Sequence, residues 1–208
     1  MAKRTAILDR TTKETSIKIK LNIDGKGKNK IDYPIPFLGH MLTLFSKHGL
    51  FDLEIKAKGD IEVDLHHLVE DTGLALGEAF AKALGKKLKI ERYAHAILPM
   101  DESLAEVKIA IDISGRPHLT FKGKFEKELL YAKIGKERVK LFLDAEMLRE
   151  FFESFVYKAG ISVHVDIVRG KNTHHKIEAV FKAFGVALSK ACAINPRKTG
   201  VPSTKGRL

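Results

Sequence analysis

The feature that most constrains this chain is a short polar grouping used twice. His66-His67-x-x-Glu70 and His174-His175-x-x-Glu178 each open a run of helical spacing, and each follows a strand-like segment and a glycine-containing turn. Two such groupings at matching places imply that the halves are copies of one unit. In the first copy, Thr15 to Ile23 (TSIKIKLNI) alternates apolar and polar residues and predicts a strand. The turn GKGKNK (25–30) follows it, so a strand hairpin is expected. Residues 37–48 (FLGHMLTLFSKH) predict a helix ended by Gly49, and FDLEIKAKG (51–59) a strand before a turn at Gly59-Asp60. A long helix over 64–85 is then expected, capped by Asp64 and closed by Gly85.

The second copy repeats that order. LAEVKIAIDIS (104–114) and HLTFKGKF (118–125) predict strands, AEMLREFFESFVYKAG (145–160) a helix, ISVHVDIV (161–168) a strand, and 172–192 a helix. The fold class is therefore α/β of the α+β type, with half-domains over 1–88 and 89–194 and a tail over 195–208. The Pro, Gly and Lys of that tail suit a loop that orders only on contact. In this alignment residue 40 falls opposite residue 150.

The repeated grouping points to metal binding. Residues four apart share a helix face, so His66 with Glu70, and His174 with Glu178, can each grip one ion. Adjacent residues point roughly 100° apart, so His67 and His175 must face other partners. At least two metals follow, bridged between the copies or between subunits. Imidazole and carboxylate ligands favour Mn²⁺, Fe²⁺, Co²⁺ or Zn²⁺ over Mg²⁺ or Ca²⁺, and the lack of cysteine ligands argues against structural zinc.

Composition narrows the setting. The 208 residues are ample for a core, and the segment MAKRTAILDR lacks the apolar stretch of a secretory signal. No run approaches the roughly 20 apolar residues of a membrane span. The single Cys192 fits a reducing compartment and a packing role, and the expected address is the cytoplasm. The net charge of +11 invites a nucleic-acid reading, but it is spread along the chain without interleaved aromatics, and an anionic substrate or an acidic partner fits equally well.

An ordered series of motifs resembles the imidazoleglycerol-phosphate dehydratase family. The series is R-x-T-x-E-T (Arg10 to Thr15), F-L-x-H-M-L (Phe37 to Leu42), H-G at His48, G-D-x-x-V-D-x-H-H-x-x-E-D (Gly59 to Asp71), P-M-D-E (Pro99 to Glu102), S-G-R-P (Ser114 to Pro117), H-H-x-x-E-A-x-F-K-A-F (His174 to Phe184) and P-S-x-K-G (Pro202 to Gly206). The resemblance implies a lyase of histidine biosynthesis that dehydrates D-erythro-imidazoleglycerol phosphate to imidazole acetol phosphate through a metal-bound imidazolate. It implies two Mn²⁺ ions per active site, with His40, His66, His67, Glu70, His174, His175 and Glu178 as ligands. The family usually has a His where this chain has Glu150; because that position lies opposite His40, Glu150 is expected to ligate in its place. Glu14 is the expected proton-transfer group, with His48 second.

The resemblance assigns the phosphate to Arg92, Arg116, Lys182, Ser203, Thr204 and Lys205. Substrate contacts from Glu14, His40, His48, His66, Glu70 and His174 complete the expected site. It further implies halves that each place helices on one face of a small mixed sheet (ribosomal protein S5 domain 2-like), and a homo-oligomer of 24 subunits built from trimers. The family more often has Gly near Ala94-His95, so His95 is expected to be structural or exposed; His118 and His164 are read as packing or hydrogen-bonding residues. A metallohydrolase or an RNA-binding module would leave the ordered motifs unexplained.

Overall fold

A computed structural model describes residues 3–100, 106–125, 128–134, 137–143 and 145–208. Two four-stranded mixed sheets have the same design. The first takes β1 (Thr5–Thr11), β2 (Thr15–Asn22), β4 (Asp52–Gly59) and β3 (Asn29–Asp32) in that spatial order, and the second takes β5 (Tyr93–Leu98), β6 (Glu106–Asp112), β10 (Ser162–Arg169) and β7 (His118–Lys122). In each, one edge strand is parallel to its neighbour, β3 to β4 and β7 to β10, and the other pairs are antiparallel. A further hairpin, β8 (Glu128–Ile134) with β9 (Glu137–Leu143), is inserted only in the second copy.

Four helices lie between the sheets: α1 (Pro36–Gly49), α2 (His66–Leu84), α3 (Ala145–Ala159) and α4 (Thr173–Cys192). The strand alternation turns Ile17, Ile19 and Leu21 of β2, and Leu53 and Ile55 of β4, towards them, while Lys20 and Glu54 form a 3.2 Å ion pair on the outer face. Each helix packs on the sheet of its own copy and also on a helix of the other, α2 on α3 and α1 on α4. Phe45, Phe80, Phe151, Phe152, Phe155, Phe181 and Phe184 fill this helical interior, with ring centroids 5.1–6.0 Å apart between successive neighbours. Such a ring, fully buried, contributes ~1.5–3 kcal/mol.

Two expectations are corrected. The segment 25–30 does not close a hairpin with β2. Its backbone wraps the Asp52 carboxylate, which accepts the N–H groups of Lys26 (2.8 Å) and Lys28 (3.0 Å), and the chain crosses to lie parallel to β4. The hairpin partner of β2 is β1. Gly49 does not end α1 by a left-handed turn; Leu50 takes that conformation (φ 57°). Gly49 is there for space, since a Cβ would sit 2.6 Å from the Phe51 ring and 2.9 Å from the Gly185 carbonyl oxygen. Asp64 accepts the N–H of His66 (2.8 Å) just ahead of α2, whose boundary residue is Leu65, and Gly85 follows its last residue as expected.

Close helix contact is set by two matched glycines. A Cβ on Gly77 of α2 would lie 2.4 Å from the carbonyl oxygen of Phe155, and one on Gly185 of α4 would lie 2.5 Å from that of Phe45. Alanine on an exposed helix gains about 1 kcal/mol over glycine, but here it must push two helices apart. Gly185→Ala is expected to lower stability by about 1–3 kcal/mol, measured as a fall in the urea midpoint; an unchanged or raised midpoint would refute the contact.

Candidate active site

The start of α4 builds the better-formed of two polar clusters. Asn172 accepts the N–H of His175 (3.1 Å) and so fixes the first turn. His174 and Glu178, one turn apart, meet with Nε2 to Oε1 at 3.0 Å. His40 of α1 brings its Nε2 to the same oxygen, also at 3.0 Å, and Lys182 donates to Oε2 at 2.8 Å. The ring of Phe37 stands edge-on to His174 at 5.1 Å and limits its rotation. Among the described residues, His40, His174 and Glu178 are the group whose ligand atoms lie within 4.8 Å of one another, which suits one divalent cation.

Electrostatics favour a charged Glu178. Burial pushes its carboxyl up, but hydrogen bonds from Lys182, His40 and His174 outweigh this and hold it down to about 2. His48, on the last turn of α1, is also shifted down, but for another reason: burial lowers its pKa, Lys182 adds to the effect, and Glu178 opposes it. Its imidazole is thus electrically coupled to this cluster. The Lys182 ammonium also contacts Met100 Sδ at 2.9 Å, which ties the P-M-D-E segment to the site; Asp101 and Glu102 of that motif lie outside the described residues.

The start of α2 repeats the arrangement more loosely. His66 Nε2 and Glu70 Oε2 are 3.8 Å apart, and both side chains are over two-fifths exposed. His67 Nδ1 meets Asp60 Oδ2 at 3.0 Å and lies 3.8 Å from a Glu14 oxygen. The hydrogen bond donated to Asp60 raises the His67 pKa, with the Glu14 charge adding to it. Adjacent rings turn apart in both copies, by 83° for His66 and His67 and 80° for His174 and His175. The matched glycine contacts show that α3 crosses α2 as α1 crosses α4. Counting five residues back from Phe155 and from Phe45 places Glu150 at the position equivalent to His40.

The residues expected at the phosphate are gathered in part. Arg92, at φ 73°, donates to both oxygens of Asp112 (2.7 and 3.2 Å) and to the Pro202 carbonyl (2.9 Å), so it anchors the tail just before Ser203, Thr204 and Lys205. The tail thus has defined contacts of its own. Arg116 is exposed beside Gly115, and the backbone of Leu208 closes on that glycine, 2.6 Å from where a Cβ would be. Lys182 stands apart, committed to Glu178. His95, His118 and His164 occupy exposed positions on the outer face of the second sheet, with His118 bonded to Thr120 at 3.0 Å. Cys192 is buried, which pushes its thiol up to about 12 and leaves it inert. Asp60, the hydrogen-bond partner of His67, was not among the expected site residues, although the Gly59-Asp60 turn directly ahead of the histidines marked its place.

Residues 34–188 match the family model for imidazoleglycerol-phosphate dehydratase. The chain belongs to that family. Imidazoleglycerol-phosphate dehydratases of Methylorubrum populi and Clostridium acetobutylicum are 52% and 50% identical over 206 residues, covering 99% of this chain and 100% and 98% of theirs. Among solved structures, imidazoleglycerol-phosphate dehydratase from Staphylococcus aureus superposes with a TM-score of 0.75 at 36% identity, covering 92% of this chain and 99% of that one. The enzyme from Pyrococcus furiosus, in complex with (S)-C348, gives 0.77 at 34%, covering 97% and 100%. Membership in the imidazoleglycerol-phosphate dehydratase family makes the chain a lyase.

For this dehydratase the charge on Glu178 makes a sharp expectation in the metal-free protein. Its folded pKa, about 2, lies below the ordinary 4.5. The stabilisation is therefore complete above pH 4.5 and lost as pH falls towards 2. Glu178→Gln removes that dependence, so the gap in urea midpoint between wild type and variant should narrow from pH 6 to pH 3; a constant gap would reject the assignment.

Proposed function

We propose that the chain dehydrates D-erythro-imidazoleglycerol phosphate to imidazole acetol phosphate, using two Mn²⁺ ions per active site. The observation that carries this reading is the meeting of His40, His174 and Glu178 from opposite copies; the helix crossing repeats between α2 and α3, which carry His66, Glu70 and Glu150. Two imidazoles and a carboxylate are a fitting donor set for manganese. His67 and His175, turned away from their neighbours, complete the ligand set towards other partners. Divalent ions held there would act as Lewis acids on the two ring nitrogens of the substrate, which is the basis of the imidazolate route.

The side chains of the chain do the rest. The Glu14 carboxylate, half exposed and 3.8 Å from His67, takes the proton from the carbon that has no carbonyl to activate it. His48, whose pKa burial lowers, is the second group able to move a proton. Arg116, Lys205, Ser203 and Thr204 receive the phosphate, with Arg92 holding their loop and Lys182 adding positive charge at the metal side. A net charge of +11 favours capture of such an anion. Ligands facing away from their own cluster are natural links between copies, in keeping with a metal-dependent assembly of trimers into 24 subunits. No described helix is long and apolar enough to cross a membrane, and a cytoplasmic setting, without nucleic acid as partner, fits this chemistry.

Ketone formation from imidazoleglycerol phosphate with added Mn²⁺ tests the activity directly, and its absence in correctly folded protein would overturn it. Metal analysis should give two ions per chain, with His67→Ala lowering the content without unfolding. Glu14→Gln should cut kcat by about 10²–10⁴ while metal content stays constant and KM changes little. If more than about a tenth of kcat survives, proton transfer belongs to His48 instead.

A further inference from the structure

Four residues of the motif series have no part in the chemistry above: Arg10, Thr12, Thr15 and Asp71. They form one hydrogen-bonded chain that ends at the backbone of Glu14. We propose that Asp71 is a positioning residue which, through Thr15 and Thr12, fixes the turn that presents the Glu14 carboxylate beside His67. The proposal rests on the reading of Glu14 as the proton-transfer group.

Asp71 follows Glu70 on α2 and is 7% exposed. One carboxylate oxygen accepts both Nε (2.9 Å) and Nη2 (2.6 Å) of Arg10, and the other accepts the hydroxyl of Thr15, itself 4% exposed. A carboxylate can only accept, so the single proton of Thr15 points at Asp71. The Thr15 oxygen must then accept from Thr12, whose hydroxyl is 3.2 Å away. That leaves the Thr12 oxygen free to accept, and it takes the N–H groups of Glu14 (3.1 Å) and Thr15 (3.0 Å). The charge on Asp71 thus sets the direction of every proton in the chain. On its other side Glu14 is held by its carbonyl, which accepts the N–H of Asp60 (3.1 Å), and Asp60 is the residue bonded to His67.

General support of the sheet does not require this chain. The β1–β2 pairing already runs without interruption from Thr5 opposite Asn22 to Thr11 opposite Ser16, and backbone bonds alone maintain that register. The 12–15 turn is closed by one backbone bond, from the Thr12 N–H to the Thr15 carbonyl (2.9 Å); what the side-chain network adds is a hold on the Glu14 N–H inside that turn, and with it the aim of one half-exposed carboxylate. Geometry of that kind matters most to the step in which the proton moves.

The test uses the full-length, manganese-loaded protein and two near-isosteric variants, Thr15→Val and Asp71→Asn. Each is expected to lower kcat by about tenfold or more, up to the roughly 10²–10⁴ that the acid–base group itself contributes, with KM and metal content nearly unchanged; Thr15→Ser, which keeps the hydroxyl, should recover most of the rate. In a Glu14→Gln background, Thr15→Val should cost nothing further, because residues acting through one group are not additive. A Thr15→Val enzyme with wild-type kcat, a full additional loss in the Glu14→Gln background, or loss of metal in Thr15→Val would each overturn the proposal. If Glu14→Gln alone retains wild-type kcat, the proton-transfer assignment fails first, and any loss in Thr15→Val then has another origin, which also overturns it.

Discussion

The polar cluster at the start of α4 depends on how closely two helices from opposite copies approach. Gly77 and Gly185 let the backbone of α2 and α4 touch the carbonyls of Phe155 and Phe45. A side chain at either place would separate the axes and slide one helix along the other. The register so fixed brings His40 to a carboxylate that belongs to the other copy. The phenylalanines around the contact supply the driving force, but being non-directional they could be satisfied by several registers. The glycines select one, and the cluster of His40, His174 and Glu178 depends on that selection.

The two clusters differ in what they have to balance. Glu178 is buried and needs its lysine and two imidazoles to remain charged. Glu70 is far more exposed, with water available as its partner, and nothing forces His66 closer than 3.8 Å. A cation would supply what the looser cluster lacks, since it attracts carboxylate and neutral imidazole together. A preformed cluster and a pliable one therefore coexist in a single chain.

Much of the fold was legible in the sequence where burial is one-sided. Helices α1 to α4 and strands β2, β4, β6, β7 and β10 show the periods of their elements because one face of each meets the core. Strand β1 hid because Ile7, 76% exposed, breaks the alternation of Ala6 and Leu8. The short edge strand β3 and the mostly outward-facing β5 have too few buried residues to leave a pattern. The histidine groupings stood out because their chemistry is rare. Contacts made by Asp52, Asp60 and Asp71 did not, since an aspartate looks the same in sequence whether it faces water or a backbone N–H. The role of Gly185 was hidden for a related reason: it is defined by the Phe45 carbonyl, far away along the chain.

The crossing of helices between copies also bears on ancestry. A chain of half this length, with the same helices on one sheet, would leave its phenylalanine face open to water and could cover it only with a second identical chain, giving a two-fold symmetric pair. The present molecule is such a pair made covalent. Fusion removes the requirement that both members stay alike, and the molecule has used that freedom: His40 on one side answers to Glu150 on the other, Lys182 to Leu74, and a hairpin has been added to one member alone. Asymmetry within a symmetric frame lets a single gene tune two histidine–carboxylate clusters independently, which an obligate homodimer of half-chains could never do.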